Sequence, residues 1–137
     1  MIFRTFDHTA DVGIEAEAST REELFAEMAR ALFSLIVERF DAVETREEVA
    51  VDLPPDDDEY LLFDWLNELL YQFDAARLVF AQFEVRFDDE GLHGRAWGEP
   101  FDPARHGVGH EVKAITYHQL RVAKEGDLWK GRVIVDI

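Results

Sequence analysis

The chain of 137 residues contains no cysteine and only 14 basic residues, against 30 acidic ones. The lack of cysteine excludes disulfides, thiolate catalysis, zinc fingers and iron–sulfur clusters. The shortage of lysine and arginine leaves a formal net charge of −16, and a field of this sign repels the phosphate backbone of nucleic acids. We therefore expect no tight binding of RNA or DNA, and expect cations or a partner protein with a basic surface instead.

Long apolar runs are also missing. No segment approaches the roughly 20 apolar residues that a membrane-spanning helix requires, and the N-terminus lacks the basic and apolar regions of a signal peptide. The sequence thus predicts a cytoplasmic protein without a membrane anchor. With 47% apolar residues, including 11 phenylalanines, the chain is large enough to fold as one domain, 1–137, without crosslinks.

Apolar periodicity predicts two helices. Capping-box patterns at Ser19 and Thr20 precede a helix predicted over 21–37, whose apolar residues recur at steps of three and four. A second helix is predicted to begin at the acidic run 56–59 and to continue through Phe73. Four consecutive acids can bind a metal, but at the start of a helix they favour interaction with the positive end of its dipole.

Alternating apolar and polar residues predict the strands. The predicted ranges are a strand that begins at 12, then 48–53, 78–88, 92–98, 111–123 and 128–136. A loop is predicted over 98–109. This order of elements predicts an α+β fold, with a mostly antiparallel sheet system and two helices packed upon it.

Within residues 6–16, polar side chains are concentrated just before the strand that is predicted to begin at 12. Asp7, His8 and Asp11 lie within five residues, and Gly13 permits close approach of another backbone. One interpretation is a ligand site, because a turn that leads directly into a strand holds its side chains in place. The alternative is an Asx-type turn, in which an aspartate bonds its own backbone.

A second polar stretch occupies residues 112–118. On a continuous strand Lys113 and His118 point to opposite faces, so they act together on one substrate only if a bulge intervenes. The residues alone favour a hydrogen-bonded interior histidine at 118 and a solvated lysine at the edge of a sheet.

The third stretch is 132–137, where Asp136 is followed by Ile137 and its terminal carboxylate. If that end lies beside Asp11, three carboxylates meet, and negative charges that close favour a bound cation. Oxygen donors without cysteine suit calcium or magnesium, and calcium tolerates the looser geometry. The spacing in the sequence does not itself predict that these residues meet.

Five segments resemble motifs of the archease family, in order and across essentially the entire chain. They are residues 8–13, 65–71, 98–100, 112–118 and 132–137. The resemblance implies a compact α+β sandwich. It also implies a bound divalent ion, with Asp11, Asp136 and Ile137 as its ligands; the oxygen donors favour calcium, with magnesium as the alternative.

The same resemblance implies a function. Archease-like proteins are accessory factors of the RtcB-type RNA ligase, which rejoins tRNA halves after intron removal. They promote guanylylation of the ligase, restore its turnover and can broaden the nucleotides it accepts. We therefore expect an activator of such a ligase rather than an enzyme, with Asp7, His8, Lys113 and His118 as a candidate surface for contact with it.

Two other functions remain open from the residues. A small metal-dependent hydrolase would use the same carboxylates, with His8 or His118 as base. The sequence shows no nucleophile elbow, phosphate-cradling glycine loop or metal-binding histidine pair to support it. A general chaperone would need a large exposed apolar surface, whereas the core requires the apolar stripes of the predicted helices.

Overall fold

The computed structural model describes residues 2–8 and 11–137, with the backbone alone at 6–8. The elements in chain order are β1 (Ile2–His8), β2 (Asp11–Ala18), α1 (Arg21–Ile36), a 3-10 turn (Phe40–Ala42), β3 (Glu47–Leu53), α2 (Asp58–Ala76), β4 (Leu78–Asp88), β5 (Gly91–Pro100), α3 (Pro103–His106), β6 (Ala114–Ile115), β7 (Arg121–Glu125) and β8 (Leu128–Asp136). The α+β class predicted from the sequence is confirmed.

The strands form two sheets. In the larger sheet the order is β1–β2–β8–β6, and β7 also pairs with β8. In the smaller sheet the order is β3–β5–β4. All pairings between the described strands are antiparallel, as the alternation in the sequence predicts.

Helix α1 lies between the two sheets, where it contacts β2 of the larger one and β4 of the smaller one. Eleven of its 16 residues are buried, because apolar side chains cover most of its circumference. The side chain of Thr20 accepts a hydrogen bond from the backbone N–H of Glu23 at 3.1 Å, and this cap begins the helix where the capping-box pattern predicts.

Helix α2 is fastened to α1 through a buried indole. Trp65 is fully buried, and its Nε1 donates a hydrogen bond to the carbonyl oxygen of Phe25 at 3.0 Å. The ring also packs against β5 at Gly94, where a Cβ atom would lie 2.4 Å from the Trp65 ring. This position therefore requires glycine. None of the helices in the described ranges is long and apolar enough to cross a membrane.

The strand predicted over 111–123 is wrong, because β6 and β7 are two short strands separated by a turn. Gln119 lies in the turn with a φ of 55°, a left-handed conformation that interrupts a strand. The hydroxyl of Thr116 donates to a carbonyl of β8 at 2.8 Å and accepts from the backbone N–H of His118 at 3.2 Å. The alternation from which opposite orientations of Lys113 and His118 were predicted is therefore absent.

The loop predicted over 98–109 is also partly wrong. Strand β5 continues to Pro100, and α3 forms one short helical turn within the range. The side chain of Asp102 accepts a hydrogen bond from the backbone N–H of Ala104 at 3.1 Å, and Pro103 occupies the first helical position. Both features favour a helix start.

Candidate functional site

Asp11 and Asp136 lie directly opposite each other across the ladder between β2 and β8. Asp11 is the first residue of β2 and Asp136 is the last residue of β8. Antiparallel pairing brings these two ends together, and directly opposed residues place their side chains on the same face of the sheet. The structure thus brings together two of the three carboxylates that the sequence singled out.

The same row extends across four strands. His8 of β1 is the register partner of Asp11, and Ala114 of β6 is the register partner of Asp136. Lys113 precedes Ala114, donates its backbone N–H to the carbonyl oxygen of Asp136 at 2.8 Å, and is exposed. All three polar stretches of the sequence therefore meet at one end of the larger sheet.

The facing carboxyl groups determine the electrostatics of this end. The hydrogen bond from Asp11, the loss of surrounding water and the charge of Asp11 raise the pKa of Asp136 above its ordinary value, while the charge of Lys113 acts in the opposite direction. A hydrogen bond between two carboxyl groups requires a proton on one of them. A divalent cation can replace that proton, because it offsets both negative charges at once.

The donor set fits a hard cation in charge and chemistry. Carboxylate oxygens are the ligands that calcium and magnesium prefer, and calcium takes about six to eight oxygens. Among the side chains that the structure describes, at residues 2–5 and 11–137, no three histidine, aspartate or glutamate groups gather into a metal-binding group. With Asp11, Asp136 and the predicted carboxylate of Ile137 as ligands, backbone carbonyls and water would complete the shell of a calcium ion.

Ile137, the predicted third ligand, directly follows Asp136. Its side chain is half-buried and packs against the hydrophobic core. This packing fixes the chain directly after Asp136, within one residue of the facing carboxyl groups. The role of Ile137 as a third ligand remains a prediction.

Asp7 and His8 are part of strand β1 rather than of a turn. Thr9 and Ala10, which follow them in the predicted turn, lie outside the described residues. The side chains of Asp7 and His8 lie outside the description as well. Their part in a contact surface therefore remains a prediction.

His118 is exposed, so its predicted interior position is wrong. The turn between β6 and β7 carries it to the surface, and the backbone N–H of Leu120 closes this turn on the carbonyl oxygen of Tyr117 at 3.3 Å. Lys113 is a solvated lysine near the sheet edge, as predicted. Both residues are exposed at the surface.

A buried network around Glu99 was not expected from the sequence. The side chain of Glu99 is only 4% exposed. Its carboxylate accepts hydrogen bonds from Nη2 of Arg105 at 2.6 Å, from the backbone N–H of Glu44 at 2.7 Å and from Nε2 of His106 at 2.9 Å. These donors, Arg105 foremost, lower the pKa of Glu99 to about 2.

His106 has a defined tautomer in this network. Its Nδ1 accepts a hydrogen bond from the backbone N–H of Asp102 at 3.0 Å, so the ring proton lies on Nε2 and is donated to Glu99. The imidazole is fully buried and stacks on Phe101 with ring centroids 5.8 Å apart. All ring hydrogen-bonding capacity is thus used within the fold.

The segment between this network and Lys113 is tied to the end of α1. Directly after His106, the backbone N–H groups of Gly109 and His110 donate to the carbonyl oxygens of Ile36 and Leu35 at 3.0 and 2.7 Å. These are carbonyls that the end of α1 leaves without helical partners. The sequence signal was an acid and two bases, Glu99, Arg105 and His106, crowded into a segment predicted as a loop.

Comparisons with known proteins agree on one family. The model of the Archease protein family matches residues 3–137. The protein archease of Methanopyrus kandleri is 40% identical over 141 residues, which cover 100% of both chains. The protein archease of Pyrococcus furiosus is 39% identical over 137 residues, which cover 96% of each chain.

Solved structures give the same result. The solution structure of Methanobacterium thermoautotrophicum protein 1598 matches with a TM-score of 0.85 at 39% identity, over 98% of each chain. The crystal structure of a Thermotoga maritima protein, described as an archease and possible chaperone, matches with a TM-score of 0.65 over 100% of this chain and 98% of that one. At 24% identity, this second likeness concerns the fold alone. By its family match and its full-length relatives, the chain belongs to the archease family.

Proposed function

We propose that this protein is a cytoplasmic accessory activator of an RtcB-type RNA ligase, which promotes guanylylation and turnover of the ligase and has no turnover of its own. Membership of the archease family supports the proposal, together with the five motifs that resemble it. The observation that carries it is the Asp11–Asp136 pair, two carboxyl groups facing each other at one end of a sheet.

The pair is proposed to bind one divalent cation, calcium in the first place and magnesium as the alternative. The register that places the two aspartates opposite each other supports this, and so does the raised pKa of Asp136, because a carboxyl group so close to another one favours a nearby cation. The predicted third donor is the terminal carboxylate of Ile137. When bound, the cation would supply positive charge that attracts and orients phosphate oxygens.

The residues around the pair have their own tasks in this proposal. Guanylylation is a nucleotidyl transfer, in which alignment of the nucleophile and the phosphate contributes much of the rate. Asp11 and Asp136 hold the cation, and the exposed Lys113 next to them is placed to contact a phosphate or an acidic residue of the ligase. Because an activator has to leave again, we expect a contact of modest area that weakens with salt.

The direct test measures guanylylation and multiple-turnover joining by the purified ligase. Wild type, Asp11→Ala, Asp136→Ala and Lys113→Ala are added in turn, with Asp89→Ala at the exposed turn after β4 as a matched control. We expect the two site aspartate variants to stimulate at least tenfold less than wild type and the control to stimulate fully. Full stimulation by both Asp11→Ala and Asp136→Ala, with folding intact, would reject the metal site as the activating element.

Two further assays separate this function from the alternatives. A gel-shift titration with RNA at low salt, where phosphate contacts are strongest, is expected to show no retained band. Incubation of the purified protein with nucleotides and phosphoesters in calcium or magnesium is expected to release no product. Hydrolysis that disappears in Asp136→Ala would instead favour the metal-dependent hydrolase.

A further inference from the structure

The three tyrosines of the chain are all exposed and share one surface. Tyr60, Tyr71 and Tyr117 have exposed fractions of 49%, 58% and 59%. The first two lie on α2. Tyr117 lies flat on Phe63 of the same helix, with ring centroids 4.0 Å apart and an angle of 11° between the planes, and it meets Tyr60 edge-on at 6.1 Å.

Helix geometry aligns this surface along α2. Tyr60, Asp64, Asn67 and Tyr71 follow one another at steps of four, three and four, so they lie on one face. The two tyrosines are roughly 16 Å apart at the usual rise of an α-helix. All four residues are exposed. The buried residues of α2 lie on other faces, and they are Leu61, Leu62, Trp65, Leu66, Leu69 and Leu70.

The same helix is strongly acidic. Its 19 residues include five acids and no lysine or arginine, and the acids are Asp58, Glu59, Asp64, Glu68 and Asp74. Loss of water and the nearby charge of Asp56 raise the pKa of Asp64, so the ionised carboxylate is disfavoured there. A cation brought by a partner would relieve this.

A groove marks one end of the surface. It has a volume of about 600 Å³ and is lined by Asp57, Glu59, Tyr60, Tyr117 and Leu120. Aromatic rings beside carboxylates form a favourable environment for a guanidinium or ammonium group, which stacks on the ring and pairs with the acid. The groove is therefore suited to a lysine or arginine side chain.

We infer that the face formed by Tyr60, Asp64, Asn67, Tyr71 and Tyr117, here named the tyrosine face, docks a basic segment of the RNA ligase. The inference rests on the proposed function and adds the contact surface to it. Tyrosine is enriched among the residues that dominate binding energy, since it offers a large amphipathic surface at low entropic cost. An enzyme that binds RNA carries lysine- and arginine-rich surfaces, which complement the acids of α2.

The position of Tyr117 links docking to the metal site. Tyr117 lies four residues after Lys113, whose backbone N–H bonds the carbonyl oxygen of Asp136. The ring of Tyr117 packs on α2. A partner that holds the tyrosine face is thereby close to the end of the sheet that carries the aspartate pair. The tyrosine face provides affinity, and the aspartate pair provides activation.

The test measures binding of the purified ligase to immobilised wild type and variants at low and at physiological salt. Tyr71→Ala and Tyr60→Ala are expected to weaken binding at least fivefold and Asp64→Lys at least tenfold, with the loss for Asp64→Lys largest at low salt. Controls of matching type are Leu128→Ala, an exposed apolar residue on β8, and Glu84→Lys, an exposed acid on β4. Both controls are expected to bind like wild type.

A second readout separates docking from activation. Tyr71→Ala is expected to reach full stimulation of guanylylation when its concentration is raised, whereas Asp136→Ala is expected to stimulate weakly at any concentration. Wild-type affinity in both Tyr71→Ala and Asp64→Lys, or equal losses in Glu84→Lys, would overturn the inference while leaving the proposed function intact. If wild type binds without stimulating and the variants weaken binding, docking is supported and the activator function fails.

Discussion

Two carboxylate sites of this protein contrast in almost every physical respect. Glu99 is buried, and three donors from Arg105, His106 and the backbone of Glu44 surround its charge, so its pKa falls to about 2. Asp136 is exposed and faces another carboxyl group, so its pKa is raised. The surroundings of Glu99 stabilise the ionised carboxylate, whereas the surroundings of Asp136 destabilise it.

The contrast distinguishes a carboxylate that stabilises the fold from carboxyl groups that are candidates for function. At Glu99 the fold supplies every partner, and no ligand is needed to balance the carboxylate. At Asp11 and Asp136 the fold brings two acids together, and the neighbouring carboxyl group raises the pKa of Asp136 despite the charge of Lys113. Groups whose pKa is perturbed by an unfavourable neighbour are candidates for function for this reason.

The largest expected effect is a loss of stability when the hydrogen-bond network of Glu99 is disrupted. Glu99→Gln removes the negative charge beside Arg105 and places an amide group among donors, so we expect the free energy of unfolding to fall by about 3 kcal/mol. Urea denaturation measures this, with Glu84→Gln on the exposed face of β4 as the control. A loss no larger than that of the control would show that the network does not hold the fold.

The two sites should also respond to pH in opposite directions. Because the pKa of Glu99 is lowered from 4.5 to about 2, its contribution to stability is complete above pH 4.5 and is lost as the pH falls towards 2. For Asp136 the pKa is raised from 3.8, so in chelator its contribution is lost as the pH rises through the raised pKa. Denaturation of wild type, Glu99→Gln and Asp136→Asn across this range should show each dependence disappear in its own variant.

A smaller effect is expected when the repulsion between Asp11 and Asp136 is removed. In chelator, Asp136→Asn should melt at the same temperature as wild type or slightly above it, because the repulsion from Asp11 is removed. Calcium should raise the melting temperature of wild type and leave that of the variant unchanged. Calorimetry should show that binding is also lost when one glycine is added after Ile137. Equal calcium affinity in wild type and both variants would reject these ligands.

The smallest effect is expected at Lys113. Its positive charge lowers the pKa of Asp136, and for the same reason it should oppose a bound cation. We therefore expect Lys113→Ala to bind calcium more tightly than wild type, by less than about tenfold at low salt. Weaker binding in this variant would contradict the expected repulsion and show that the Lys113 side chain supports the site.

Elements with long periodic patterns could be predicted from the sequence. Helix α1 was predicted over 21–37 and is observed over Arg21–Ile36, and β4 and β8 were predicted at their observed bounds. In these segments local propensity and burial favour the same structure. The strand predicted over 111–123 failed because its alternation continues through Gln119, whose left-handed backbone only tertiary structure explains.

The candidate site was predictable in composition and not in geometry. Hard oxygen donors at Asp11 and Asp136 are visible in the sequence, but their meeting depends on the register between β2 and β8, which lie at opposite ends of the chain. The Glu99 network was missed because it joins Glu99 to donors from two other segments, at Glu44 and at Arg105 and His106. Periodicity carries no information about polar groups that find one another in the interior.

The central position of α1 has a consequence for motion within the fold. Because α1 packs against both sheets, its backbone is exposed to water only when both sheets separate from it. Its amide hydrogens should therefore exchange with solvent only through global unfolding, and more slowly than those of the outer strands. The aspartate pair lies at the end of a sheet that packs on this helix. It would therefore keep its position while a bound partner changes conformation.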